Sequence, residues 1–296
     1  MSARTTLWGF AVVVVLCALG PVASASPPGL HGNNFFSNCR FSHTGADDPI
    51  VHPGHPGASH PHTFFGNAST DAFSTTASLR RAATTCRPAS ATAAYWVPTL
   101  FQDGREVRPA KAQLYYVLRG YDRMQAFPAG LRIVAGDQHA MRPQSARITF
   151  WTCGGRAART APATAPPARC PVITGSGLMA KPGEKPRVVH WRTPTSLELH
   201  VDFPDCWDGR HLDVPDHHSH MAYSRDYVCP RSHPVNVPLI RMTIRYPISA
   251  GDGVALASGG VFSGHADFLN AWDQRALERL VDACFHDRPC NDPRRS

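Results

Sequence analysis

Lysine is nearly missing from this chain. Of 30 basic residues only Lys111, Lys181 and Lys185 are lysines, and the arginines are dispersed. A protein that grips a phosphate backbone gathers its cations into a patch or stripe, so the net charge of +8 does not imply nucleic acid. Such a charge implies at most a weak attraction for an acidic glycan or an anionic wall surface. Charged residues make up only 18% of the chain and apolar ones 43%, which excludes a disordered polyelectrolyte and allows a real core. Past residue 25 no apolar run approaches the about 20 residues that a transmembrane helix needs. No C-x-x-C pair is present to seed a cysteine zinc site. G-x-S-x-G, Walker and H-E-x-x-H signatures are absent as well, which removes the common hydrolase, nucleotide and zincin readings.

The first 25 residues read as a signal peptide. Arg4 supplies a positive start, Leu7 to Leu19 an apolar run, and Ala23-Ser24-Ala25 a small-residue cleavage site that leaves Ser26 as the new N-terminus. Cys17 follows Leu16 rather than a small residue, so no lipid anchor is expected. A copper brace of the lytic polysaccharide monooxygenase kind needs histidine as the first mature residue, and Ser26 does not supply it. The expected location is secreted, where the eight remaining cysteines would be oxidised. Pairing near neighbours gives Cys284–Cys290, Cys153–Cys170 and Cys206–Cys229, leaving Cys39 with Cys86. Each bridge stabilises by roughly 2–4 kcal/mol.

Periodicity is mainly β. In "SLELHVDF" Leu197, Leu199, Val201 and Phe203 alternate with Glu198, His200 and Asp202. In "LIRMTIRYPI" Ile240, Met242, Ile244, Tyr246 and Ile248 face one way, and Arg241, Thr243 and Arg245 the other. "AQLYYVLR", "GLRIVAG" and "ARITFWTC" are further strands. Residues 156–169 form a Pro/Ala-rich loop closed at its base by the flanking cysteines. "WDQRALERLVDACF" is helical, with Leu277, Leu280, Val281 and Cys284 on one face and Asp273 as N-cap. The expected architecture is a lead-in over 26–38 and one domain over 39–296. That domain is an antiparallel β-sandwich or jelly roll with long loops, a C-terminal helix and disulfides.

Histidine is the abundant functional residue, 16 in all. Five lie between His43 and His62, five between His211 and His233, and His265 precedes Asp267 by two. Imidazole is the usual acid–base group near neutral pH and the commonest metal ligand. On extended chain the i, i+2 pairs His60/His62 and His265/Asp267 each share a face, as a metal site needs. They are the candidate metal ligands. His217 and His220, spaced i, i+3, converge on a helical turn, and Asp205 and Asp208 are the nearest carboxylates for an acid–base pair. These four are the candidate catalytic residues, although Asp208 equally suits a turn in "DCWDG". His233, Trp207 and Tyr223 are candidate substrate contacts. His43, His52, His55, His139 and His286 read as solvated background, and Trp96, Trp191 and Trp207 more readily as core than as sugar platforms.

Six segments carry a resemblance. They are "DPIVHPGHPGASHPHTFFGN", "TTCRPASATAAYWVPTL", "FPAGLRIVAGD", "FPDCWDG", "DHHSHMAYSRDYVCPRSHPV" and "HADFLNAWD". Together they resemble the DUF1996 family of exported fungal and bacterial proteins, across nearly the whole mature chain. The family pattern matches His60, His62, His217, His220, His233, His265 and Asp267, whereas His52, His55 and His218 stand where relatives carry other residues. Fungal relatives often carry carbohydrate-binding or WSC modules, which implies a polysaccharide context. The resulting expectation is a secreted protein that cleaves a cell-wall or extracellular polysaccharide, with a His/Asp site for a divalent metal (zinc, manganese or calcium) or a metal-free acid–base pair. The alternative is a non-catalytic wall-glycan-binding protein with structural histidines. A metal-scavenging protein fits less well, because the ligands are embedded in a large fold.

Overall fold

The computed structural model describes residues 33–118, 124–155, 159–179 and 185–286. Two antiparallel sheets dominate. Their strands are β1 (Asn33–Cys39), β2 (Phe41–Gly45), β3 (His62–Gly66), β4 (Cys86–Arg87), β5 (Ala94–Pro98) and β6 (Lys111–Leu118). The set continues with β7 (Arg132–Gly136), β8 (Thr149–Gly154), β9 (Ser196–Asp202), β10 (Leu239–Arg245) and β11 (His265–Leu269). The six-stranded sheet runs β8-β9-β10-β6-β1-β4, and the five-stranded sheet β2-β3-β5-β11-β7. Mainly β architecture with antiparallel pairing is therefore what the alternating patterns predict. One expectation is corrected: β1 begins at Asn33, inside the expected lead-in of 26–38. "NNFFSNC" pairs along its length with β6, and Phe35 stacks on Tyr116 at 4.7 Å, so its aromatic residues hold it in the sheet.

The two-residue period of a strand sorts side chains between faces. Leu197, Leu199, Val201, Ile240, Met242 and Ile244 from the six-stranded sheet meet Phe65, Tyr95, Ala266 and Phe268 from the five-stranded one in a common core. Trp272 seals its end, its indole N–H donating to the Tyr116 hydroxyl at 2.9 Å. After it comes helix α1 (Gln274–His286), whose Asp273 cap accepts the Ala276 N–H at 2.8 Å. Leu277, Val281 and Cys284 of this helix are buried.

Three disulfides join described residues: Cys39–Cys86, Cys153–Cys170 and Cys206–Cys229. Cys153–Cys170 and Cys206–Cys229 are the expected near-neighbour pairs, and Cys39–Cys86 is the pair expected to remain. Cys284 is also disulfide-bonded; Cys290, its expected partner, lies outside the described residues, as does the expected signal peptide. No helix among the described residues is long and apolar enough to cross a membrane.

The two outer faces differ. On the six-stranded sheet Glu198, His200 and Asp202 are buried in a closed polar ladder. Arg245 Nε donates to Glu198 at 2.8 Å and Arg159 Nε at 2.6 Å. Arg241 Nε donates to Asp202 at 2.6 Å, and both His200 nitrogens meet threonine hydroxyls, Thr152 at 2.8 Å and Thr243 at 2.9 Å. On the five-stranded sheet Phe64, Trp96, Val134 and Leu269 form a second apolar cluster with Ile50 and Val51 from the 46–61 loop. The loop lies over the sheet, and the histidines sit where the two meet.

Candidate metal centre

The 46–61 loop is shaped by its own polar residues. Asp48 Oδ1 accepts the N–H groups of Ile50 at 2.8 Å and Val51 at 2.9 Å. This turn drives Ile50 into the apolar cluster and leaves Asp48 buried beneath the loop. His60 stands next to the end of the loop, and His62 opens β3, whose residues are all buried. Across the sheet, His265 pairs with Gly136 and Asp267 with Trp96 and Val134. His265, Asp267 and Leu269 share the outer face of β11, while Ala266 and Phe268 enter the main core. The same-face arrangement expected of H-x-D is thus present, and it lies on the face that carries His62.

Three rings converge. The His60 ring centroid lies 4.2 Å from that of His62 and 5.0 Å from that of His265, and the latter two are 5.7 Å apart. Each residue brings one ligand nitrogen within 4.8 Å of the other two. A centre shared by three such atoms lies no more than about 2.8 Å from each, so small side-chain movements reach the about 2.0–2.1 Å of a Zn–N bond. Asp48, His62 and Asp267 form a second, overlapping group of ligand atoms, and Asp267 Oδ2 stands 4.0 Å from His265 Nε2.

Tautomers follow from the hydrogen bonds. His62 Nδ1 lies 3.0 Å from the Asp47 carbonyl and His265 Nδ1 2.9 Å from the Ser263 carbonyl. A carbonyl only accepts, so each Nδ1 carries the proton and each Nε2 presents a lone pair. Carbonyl-oriented histidines of this kind are typical of metal ligands. Nε2 of His60 and of His62, and both oxygens of Asp267, are buried without a hydrogen-bond partner among the described residues. Buried polar atoms rarely stay unsatisfied, and here four of them cluster. A cation held among them would satisfy all four.

Electrostatics point the same way. Burial lowers the His60 imidazole to about 4, helped by charge on His139 and His52. Burial lowers His265 to about 3, and it holds His62 well below 6.5, with His265 and His60 adding repulsion. All three rings are therefore neutral at pH 7, the state that binds metal. Asp267 moves oppositely: burial, then the neighbouring Asp48 carboxylate, raises it well above the usual range. A cation beside Asp267 would remove that penalty.

The second histidine segment is built differently. It is stapled by Cys206–Cys229 and by a short sheet of Met221–Ala222, Cys206–Trp207 and Val235–Asn236. His217 lies in the left-handed region at φ 56°, so no helical turn brings it to His220. Its Nδ1 instead meets Asp213 at 2.8 Å. His220 is buried, and its Nε2–H donates to the Arg132 carbonyl at 2.7 Å. His233 Nε2–H donates to the Ser219 carbonyl at 2.9 Å. Asp205 accepts from the Ser224 amide at 2.8 Å and hydroxyl at 2.7 Å. Asp208 accepts the N–H groups of Arg210 and His211 and meets His211 Nδ1 at 2.6 Å, which is the turn-holding role. The Trp207 indole donates to the His211 carbonyl at 2.7 Å and the Tyr223 hydroxyl to the Asp202 carbonyl at 2.9 Å. None of these residues joins either group of converging ligand atoms.

Some site residues escape sequence reasoning. Asp48 reads as an ordinary loop acid before a proline, and only the fold brings it to His62. His52 and His139, expected to be solvated background, act electrostatically on His60. The clustering of His52 with His60 and His62 in one segment was the available signal; His139 had none.

No curated protein and no solved structure matches this chain. The family described as a domain of unknown function, DUF1996, matches residues 48–272. That span runs from Asp48 of the loop past His60, His62, His265 and Asp267 to Trp272, so the whole candidate centre lies within it, and the chain belongs to the DUF1996 family.

Proposed function

We propose that the protein is a secreted, metal-dependent carbohydrate-active protein that cleaves a cell-wall or extracellular polysaccharide. The observation that carries this reading is the convergence of three neutral imidazoles, with His60 the most solvent-exposed of them. Three disulfides suit export into an oxidising compartment, after removal of residues 1–25. His60, His62, His265 and Asp267 would hold the ion. When bound, the ion would supply Lewis acidity. Three imidazole nitrogens suit zinc; calcium prefers an all-oxygen shell, and manganese prefers oxygen-rich sites. The carbonyls of Asp47 and Ser263 hold the rings in the ligating tautomer. His60 faces the side from which substrate arrives, and the 46–61 loop keeps water from the buried ligands.

A second reading has its own support. Asp205 and Asp208, the expected acid–base carboxylates, are occupied by loop hydrogen bonds. A wall-glycan-binding protein with a structural ion needs no such pair. One experiment separates the two: a polysaccharide panel with zinc-loaded and chelator-treated protein, following reducing ends and unsaturated products. Chelator-sensitive release of sugar supports the enzyme. Retention on wall polysaccharide with no release on any substrate overturns it in favour of the binding protein.

A further inference from the structure

A pocket of about 250 Å³ opens at the edge of the five-stranded sheet, where β7 ends. Its lining runs from the strand that pairs with His265 to the second histidine segment. Gly136, paired with His265, leads into Asp137, whose carboxylate acts electrostatically on His265. The opposite wall comes from the disulfide-stapled segment, through His218, Met221 and Tyr223. Val134 and Ile148 contribute apolar surface. Asp137 Oδ1 accepts the His139 N–H at 2.8 Å, and Oδ2 makes no hydrogen bond among the described residues. Gln144 fixes this corner, donating to the carbonyls of Phe262 at 2.7 Å and Gly264 at 2.8 Å while accepting the Asp137 N–H at 2.9 Å.

We propose that this pocket, beside the His60–His62–His265 centre, binds one ring of an uncharged sugar chain. The volume is below the about 300–1,000 Å³ of drug-sized sites, so it suits a single ring with the chain continuing outside. Apolar Val134, Ile148 and Met221 with the Tyr223 ring match the C–H face of a pyranose, and the Asp137 carboxylate and His218 imidazole match its hydroxyls. Charge then sets the class. No arginine or lysine lines the pocket, and Asp137 would repel a uronate. The site therefore selects neutral sugar, although the chain as a whole carries +8.

This inference rests on the carbohydrate reading above, and the test separates the two. Methyl groups of Val134, Ile148 and Met221 are probes built into the pocket. The full secreted protein, methyl-labelled, is titrated with cellohexaose, laminarihexaose and chitohexaose, and with hexagalacturonate as the anionic control. At least one neutral hexasaccharide is expected to shift these methyls. Asp137→Ala should weaken its Kd at least about tenfold. Asp137→Asn, which keeps an oxygen for the His139 amide, guards against misfolding; it should weaken neutral sugar and relieve the exclusion of hexagalacturonate. The proposal is overturned if no neutral hexasaccharide moves the three methyls, or if hexagalacturonate binds there more tightly. Sugar release from a polysaccharide without methyl shifts would leave the carbohydrate reading standing and sink the pocket. Methyl shifts without zinc binding would do the reverse to the metal centre.

Discussion

Two segments of this protein are equally rich in histidine and differ in chemistry. In the first, His60 and His62 keep Nε2 without a partner, and His265 joins them from across the sheet. In the second, His211, His217, His220 and His233 are each tied by a ring nitrogen to a carboxylate or a carbonyl. Composition does not distinguish them, and neither does a single unpartnered nitrogen, because His220 Nδ1 is buried without a partner as well; what distinguishes them is that in the first segment the ligand atoms of several residues converge. Where Nδ1 donates to a main-chain carbonyl and Nε2 meets the ligand atoms of other residues, as in His62 and His265, the ring is prepared as a ligand. Where an acid a few residues away takes the ring, the histidine holds a loop.

That contrast can be broken by substitution. The largest effect is expected for His62→Ala or His265→Ala. Each removes one of three nitrogens, so zinc affinity should fall by more than the about 10–100-fold that follows loss of a second-shell partner. Calorimetric zinc titration measures it, and near-wild-type affinity in both variants would dissolve the distinction between the segments. Zinc-dependent protection against thermal unfolding should vanish in parallel.

The next effect is in proton binding. Unfolded histidines take up protons near 6.5, whereas folded His60 does so at about 4 and folded His265 at about 3. Between those values the unfolded state binds more protons. The stability these rings contribute is therefore present above about pH 6.5 and lost as pH falls. Asp267, raised rather than lowered, works in the opposite direction, so imidazole Hε1 shifts followed by NMR are a cleaner readout than overall stability. Metal-free protein whose His265 titrates near 6.5 would show that the ring is not buried as described.

Smaller effects belong to the second segment. His220→Ala removes a buried hydrogen bond and should cost about 1–3 kcal/mol of stability, with zinc affinity within about twofold of wild type. Urea unfolding and calorimetry on one preparation decide this, and a large loss of zinc binding would return His220 to the metal centre. His217→Ala breaks a pair with Asp213 in which both side chains are 21% exposed, so about 1 kcal/mol or less is expected, detectable as a small shift in Tm.

Much of this was legible before the fold. The alternation in "SLELHVDF" locates the core face of β9, and the i, i+2 spacing puts His265 and Asp267 on one side of β11. Near-neighbour cysteines pair as their spacing suggests. The failures share a cause. His217 and His220 looked like a convergent pair, but local geometry tied them to Asp213 and to the Arg132 carbonyl. Asp48 looked ordinary because its meeting with His62 and Asp267 depends on loop closure over a distant strand. The orienting partners of His62 and His265 are main-chain carbonyls, which every residue possesses and no motif reveals.

The pleat of β11 has a consequence for how this site can be lost. Phe268 fills the core and Asp267 faces the converging ligand atoms, one residue apart on opposite faces. A one-residue insertion or deletion in the strand would exchange them, burying a carboxylate among the aromatics of the main core and placing an apolar ring among the converging ligand atoms. Such a lineage would lose the domain along with the site. Relatives that have discarded the chemistry should therefore keep the strand length unchanged and carry point replacements at the positions of His62, His265 and Asp267, so that the history of the site is written in substitutions and not in gaps.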